Sequence, residues 1–158
     1  MLETLPEDRC WLELAGFELG HLAIVSDGEP YITPVSFVAV APHDEKRGTI
    51  RFRTVQGRRM KAMQEGGRVC IEAADVNNET GSWISILAWG HQQPEVSALE
   101  EQETITALLR KYHTGKEDPF RLPAPSLTEP EVVIIEIDTI SGRASGKGLR
   151  PGLRPGRL

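Results

Sequence analysis

Short runs of alternating apolar and polar residues dominate the chain and predict a protein built mainly from β-strands. The runs are rich in Val, Ile, Phe and Trp and are separated by turn residues, which together predict six strands. These strands are predicted at 21–26, 31–40, 49–54, 69–76, 83–89 and 132–138. The pair Asp27 and Gly28 between the first two runs is typical of a two-residue hairpin, so those strands should be antiparallel neighbours.

Apolar residues at helical spacing predict three short helices. Thr4 and Glu7 form a capping-box pattern before a first helix that ends at Gly16, and a second helix is predicted over 58–64. A third helix is predicted from the capping box that begins at Ser97 to about residue 113. The apolar stripe of this third helix consists of Leu99, Ile105, Leu108 and Leu109.

The order of these elements excludes a doubly wound parallel sheet, because parallel strands need a crossover helix between nearly every pair. The sequence therefore predicts a mainly β fold with minor α content, a six-stranded antiparallel barrel with flanking helices. A barrel of this size has room for core side chains but not for a deep pocket, so a flat ligand would lie outside it or between subunits. That geometry favours a homodimer.

Length and composition predict one domain over 1–142, followed by a basic tail over 143–158 that is rich in Gly, Pro and Arg and has too little apolar surface to fold. A Pro-rich loop is predicted over 115–130. No apolar run is long enough to span a membrane and the amino terminus lacks the features of a secretory signal, so we expect a cytoplasmic protein.

The net charge of −5 argues against a nucleic-acid partner. Cys10 and Cys70 are predicted to be buried thiols, and the scattered histidines predict no metal site.

The junction between the third strand and the second helix carries the pattern that indicates chemistry. A strand ends at Thr54, Gly57 can adopt positive φ, and Arg58, Arg59 and Lys61 open the helix. Helix N-terminal amides and guanidinium groups together bind phosphate without a Walker lysine. This junction therefore predicts a cradle for a phosphorylated cofactor.

Three segments, PYITPVSF, FRTVQGRRMKAM and GSWISILAWG, resemble the flavin-binding split-barrel superfamily that includes the pyridoxamine 5'-phosphate oxidases. The resemblance covers residues 5–145, and it is closer to the smaller bacterial branch of nitroimidazole-reductase-like and deazaflavin-dependent proteins. It implies a split barrel that forms a homodimer, with two FMN molecules at the subunit interface.

The resemblance also implies roles for particular residues. The phosphate would be held by Thr54, Gly57, Arg58, Arg59 and Lys61. The flavin ring would lie along the strand segment Thr33, Pro34, Val35 and Ser36. Trp83 and Ser85 would contact the flavin or the dimer partner. Apart from the resemblance, Arg53 is the best candidate for polarising the flavin or meeting an anionic substrate. Many relatives have Lys at the position of Arg59, and the guanidinium keeps the charge while adding a fork suited to phosphate.

The function implied is an FMN-dependent oxidoreductase that takes hydride from NAD(P)H or a substrate and passes electrons to a small organic acceptor. The flavin carries this chemistry, so no catalytic side chain is named. Two alternatives remain open: a deazaflavin-dependent reductase, and a non-catalytic flavin- or haem-binding module. Vitamin B6 oxidation is less favoured, because the C-terminal substrate-binding region of true pyridoxamine phosphate oxidases is not recognisable. Some nitroimidazole-reductase-like members have His at the position of Arg53, so nitroimidazole reduction is also less favoured.

Overall fold

The computed structural model describes residues 1–112 and 129–146, which form eight strands and three helices. The predictions made for 115–128 and 147–158 lie outside the described residues. The strands are β1 (Leu2–Leu5), β2 (Gly20–Ser26), β3 (Glu29–Val35), β4 (Val38–Val40), β5 (Thr49–Thr54), β6 (Val69–Asn77), β7 (Ser82–Gln92) and β8 (Glu131–Ser145). The helices are α1 (Glu7–Gly16), α2 (Arg58–Gln64) and α3 (Ala98–Lys111).

All eight strands belong to one antiparallel sheet with the order β3-β2-β6-β7-β8-β5-β4, and β1 also pairs with β8. The predicted hairpin is confirmed, with Asp27 and Gly28 at φ of 53° and 77°. Over the described ranges no backbone pairing joins the edge strands β3 and β4, so the sheet curls without closing. The mainly β, split-barrel fold is therefore confirmed.

The predicted count of six strands is wrong for two reasons. The run predicted as one strand over 31–40 breaks at Ser36 and Phe37, because the hydroxyl of Tyr112 accepts a hydrogen bond of 2.9 Å from the Phe37 amide and bends the chain there. The second reason is that the sequence does not predict β1, because Thr4 is assigned to a capping box instead. That first capping box is wrong. Thr4 lies in β1, paired with Arg143, and Pro6 occupies the N-cap position of α1 without a side-chain bond.

The main core lies between one face of the sheet and the helices α1 and α2. Cys10, Trp11 and Leu14 from α1, with Met60 and Met63 from α2, are buried in one cluster with the inward residues of the strands. Cys10 is buried as predicted, whereas Cys70 is only half-buried because its side chain points to the other face of the sheet.

Helix α3 contacts β4, β5 and β8, and its buried stripe is narrower than predicted. Thr104 and Leu108, one turn apart, are fully buried. Leu99 and Leu109 are 65% and 37% exposed, so their predicted place in the core is wrong. The capping box at the start of α3 is confirmed, with Ser97 and Glu100 bonded to each other's backbone amides.

The last strand is longer than the sequence predicted. β8 continues to Ser145, so the first three residues of the predicted tail are paired in the sheet. Arg143 lies opposite Thr4 on one side and Ser85 on the other.

One sheet surface, which we name the open face, is formed by the outward side chains of β2, β3, β6 and β7. Helices α1 and α2 pack on the opposite surface, and α3 contacts β4, β5 and β8. The open face carries Val25, Ile32, Val76, Trp83, Ser85, Leu87 and Trp89. Three of these are largely exposed: Val25 (63%), Ile32 (64%) and Val76 (58%). This sheet surface also carries the hydrogen-bonded pair His21 and Glu72, is otherwise largely apolar, and has no covering helix from the described residues.

Candidate functional site

Arg59 lies where β3, β5 and α2 meet, and its guanidinium joins all three. Its Nε and one terminal nitrogen donate to the Thr54 hydroxyl at 3.2 and 2.8 Å. The other terminal nitrogen donates to the Thr33 hydroxyl at 3.0 Å and to the carbonyl of Pro34 at 3.1 Å. All three guanidinium nitrogens are therefore bonded to the protein.

Arg58 lies beside Arg59 but is held differently. Its Nε donates to the hydroxyl of Ser26 at 2.8 Å, and its guanidinium stacks 4.5 Å from the centre of the Tyr31 ring. Arg58 and Lys61 are both exposed. The terminal nitrogens of Arg58 and the ammonium of Lys61 have no protein acceptor among the described residues.

The three cations have no ion-pair partner in the described part of the chain. Within residues 1–112 and 129–146, no carboxylate lies within the 4.0 Å of an ion pair from Arg58, Arg59 or Lys61. Burial lowers the pKa of Arg59 below its usual value, an effect opposed by Tyr31. An arginine remains protonated at neutral pH even so, and a half-buried cation without a counter-ion carries a desolvation cost that a bound anion would offset.

Gly57 does not behave as predicted. It precedes α2 with φ of 169° and ψ of −168°, which is extended backbone that any residue adopts. A Cβ added at Gly57 would meet nothing within 4 Å. The prediction of positive φ is therefore wrong, because the chain enters α2 from an extended conformation rather than from a left-handed turn.

Strand β3 is an edge strand, as Pro34 within it suggested. The carbonyl of Pro34 accepts from Arg59, so the backbone groups of Pro30, Ile32 and Pro34 face the open edge. Both prolines lack an N–H, which leaves Ile32 with a donor and an acceptor on that edge. Val35, in contrast, is buried in the core.

The structure does not bring all of the predicted site residues together. Arg53 lies on the opposite face of β5 from Thr54, and its guanidinium is 3.5 Å from the carbonyl of Pro130. Trp83 and Ser85 project from β7 onto the open face, whereas Thr54 points to the other side of the sheet. One protomer therefore assembles the cationic junction with β3 and leaves Arg53, Trp83 and Ser85 apart from it.

Sequence reasoning missed two residues of this junction, Ser26 and Tyr31, which hold Arg58. The available signal was strand alternation. Tyr31 lies two residues before Thr33 and therefore on the same side of β3, while Ser26 ends the paired strand.

It also missed the bonds at the bend after Ser36. There Lys111 donates to the Phe37 carbonyl at 2.8 Å and Tyr112 bonds its amide. Nothing in the local sequence connects residues 37 and 112.

The described residues form neither a metal-binding cluster nor a membrane-spanning helix. No three or more His, Cys, Asp or Glu side chains in the described part of the chain are grouped so as to hold a metal ion. None of its helices has the length and apolar character needed to span a bilayer.

Comparison with known proteins relates this fold to solved structures. An FAD-binding protein from Mesorhizobium loti is 22% identical with a TM-score of 0.67, covering 91% of this chain and 96% of that one. The FAD-binding protein from Mycobacterium smegmatis is 22% identical with a TM-score of 0.63, covering 92% and 100%. An FAD- and haem-binding protein from the same organism is 17% identical with a TM-score of 0.61, covering 93% and 74%.

At these identities the likeness concerns the fold. No curated protein matches the sequence. The family model described as pyridoxamine 5'-phosphate oxidase matches residues 6–144, which is most of the chain. The chain therefore belongs to the pyridoxamine 5'-phosphate oxidase family.

Proposed function

We propose that this protein is an FMN-binding oxidoreductase of the nitroimidazole-reductase-like and deazaflavin-dependent branch, active as a homodimer in the cytoplasm. The observation that carries the proposal is the cluster of Arg58, Arg59 and Lys61, which has no carboxylate partner among the described residues. Such a cluster suits a ligand with a phosphate, and the solved structures of similar fold include two FAD-binding proteins.

The residues at the junction fit the two ends of FMN. The exposed cations Arg58 and Lys61 would face its phosphate, with Thr54 and Gly57 beside them. The open backbone edge of β3, next to the cations, offers both a donor and an acceptor to a heterocycle. The segment Thr33 to Ser36 would lie along the ring.

A bound flavin supplies hydride and electron transfer, so the chain need only bind and orient it and exclude water. The electron donor in this proposal is NAD(P)H, and the acceptor is a small organic molecule. Arg53 stays a prediction as a contact for an anionic substrate. Because Arg53 lies away from the junction, it would contact a substrate that binds on the other face of β5 from Thr54.

The division of the predicted site between two sides of the sheet supports the proposed homodimer. Trp83 and Ser85 lie on the open face, while Thr54 points to the opposite side of the sheet. A second protomer docked on the open face could bring its own Trp83 and Ser85 to the flavin of the first.

Cys10 and Cys70 are free thiols, which is typical of a reducing cytoplasm.

The test is an absorbance spectrum of the purified protein, with any retained cofactor identified by mass, followed by titration with FMN. We expect flavin bands, FMN binding, and oxidation of NAD(P)H by the loaded protein. Retention of a deazaflavin alone would replace FMN with that cofactor, and a Soret band would indicate the haem-binding module. Flavin binding without turnover would indicate a binding module, and a protein that binds none of them would refute the proposal.

A further inference from the structure

We propose that the two neighbouring arginines have different roles at the flavin site. Arg58 binds the phosphate, and Arg59 positions the edge of β3 along which the flavin ring lies. This inference rests on the flavin function proposed above and assigns the roles within its site. It changes the role of Arg59, whose guanidinium the sequence alone suggested as a phosphate fork.

Arg59 has little hydrogen-bonding capacity left for a ligand. A guanidinium has five N–H donors, and in Arg59 four hydrogen bonds from its three nitrogens reach protein oxygens. These oxygens belong to Thr54 at the end of β5 and to Thr33 and Pro34 on β3. If the guanidinium rotated to bind a phosphate, it would lose hydrogen bonds to these protein oxygens.

The bonds of Arg59 connect two strands that are far apart in the sheet. β3 and β5 are not neighbours in the sheet, since β2, β6, β7 and β8 lie between them. Arg59 thus spans the gap of the split barrel near the end of β3. It contacts the Pro34 carbonyl, which belongs to the open edge itself. An edge strand paired on one side only is prone to fray, so this tie would fix the edge before a ligand arrives.

Arg58, in contrast, keeps most of its donors free of protein acceptors among the described residues. Only its Nε is bonded, to Ser26, and Tyr31 supports one face of its guanidinium. Its terminal nitrogens have no protein acceptor among the described residues, and the side chain is exposed. A guanidinium held in this way is pre-organised and still has its paired donors available for two phosphate oxygens.

The experiment compares FMN with riboflavin, which has the same ring and no phosphate. Dissociation constants for both ligands are measured on the wild type, Arg58→Ala, Arg59→Lys and Arg59→Gln, well below the melting temperature of each. Arg110→Ala is the control, because it removes a positive charge from the exposed last turn of α3.

Arg58→Ala should weaken FMN by about tenfold or more and change riboflavin by less than about twofold, since it removes a charge-assisted contact to phosphate alone. Arg59→Lys should weaken both ligands by the same factor, because an ammonium keeps the charge but cannot bridge three oxygens on two strands. A general loss of stability would not lower riboflavin affinity in a fully folded variant. If Arg59→Lys keeps riboflavin binding and Arg59→Gln loses only FMN, Arg59 is a phosphate ligand and the inference is overturned.

Hydrogen exchange on the ligand-free protein tests the tie independently of any flavin. Because Pro34 faces the open edge, the amides of Tyr31, Thr33 and Val35 point toward β2. Arg59→Lys should speed their exchange while Ile86 in β7 stays as in the wild type. Equal exchange in both proteins would overturn the positioning role. If the wild type binds neither ligand, the proposed function fails together with the role of Arg58. The hydrogen-exchange comparison then tests by itself whether Arg59 holds the β3 edge in place.

Discussion

A homodimer docked through the open face predicts a strong effect from one substitution, Ile32→Asp. Ile32 lies on the edge strand β3, at the margin of that face and opposite Ala23 of β2, and is 64% exposed in the protomer. A partner covering it would bury mainly apolar surface, and the carboxylate would have to be buried in its place.

The size of the effect follows from the exposed fraction. Full burial of an isoleucine side chain contributes about 1.5–3 kcal/mol, so burying the 64% that is exposed contributes about 1–2 kcal/mol. A twofold interface counts this contribution once from each protomer, which gives about 2–4 kcal/mol for the dimer. The dimer dissociation constant should therefore rise about 30- to 1000-fold, and the cost of burying the carboxylate adds to this.

Sedimentation velocity over a range of protein concentrations measures this constant. Leu99→Asp is the matched control, because Leu99 is 65% exposed and lies on α3, outside the open face. We expect a dimer for the wild type and for Leu99→Asp, and a monomer for Ile32→Asp with an unchanged far-ultraviolet spectrum. A monomeric wild type, or equal dissociation constants for the two variants, would refute the reasoning.

Two further predictions concern the scaffold around the site. A Cβ at Gly90, in the irregular pairing of β7 with β8, would overlap the carbonyl oxygen of Glu136 and lie 2.8 Å from its carbonyl carbon. Gly90→Ala should therefore cost about 3 kcal/mol or more in urea denaturation, and Gly57→Ala, which meets nothing, less than about 1 kcal/mol. Equal midpoints for the two variants would contradict this.

Ser97→Ala should cost about 1 kcal/mol, because it removes the cap of α3. Hydrogen bonds from the Ser97 amide, Gln93 and the Ser97 hydroxyl lower the pKa of Glu100. The stabilisation linked to this carboxylate should be complete above the ordinary pKa of about 4.3 and be lost as the pH falls through the lower folded value. The midpoint of Ser97→Ala should depend less on pH in that window, and an identical dependence would be evidence against the assignment.

The sequence by itself determined most of the local structure. Strand alternation identified most of the strands, although it missed β1 and the break between β3 and β4. Asp27 and Gly28 fixed the β2–β3 hairpin, and the Ser97 box fixed the start of α3. These signals are local, because side-chain period, turn conformation and capping act within a few residues. The grouping of Arg58, Arg59 and Lys61 was local in the same sense, and the sequence placed it correctly at the start of α2.

Only the tertiary structure decided how distant residues are combined. The bend at Phe37 depends on a hydroxyl 75 positions away, at Tyr112. β1 is a strand because the end of β8 is there to pair with it, which overrides a capping pattern. The different bonding of Arg58 and Arg59 likewise depends on which strand lies within reach of each guanidinium. A sequence states the charge of an arginine, but the acceptors around it are set by the folded chain.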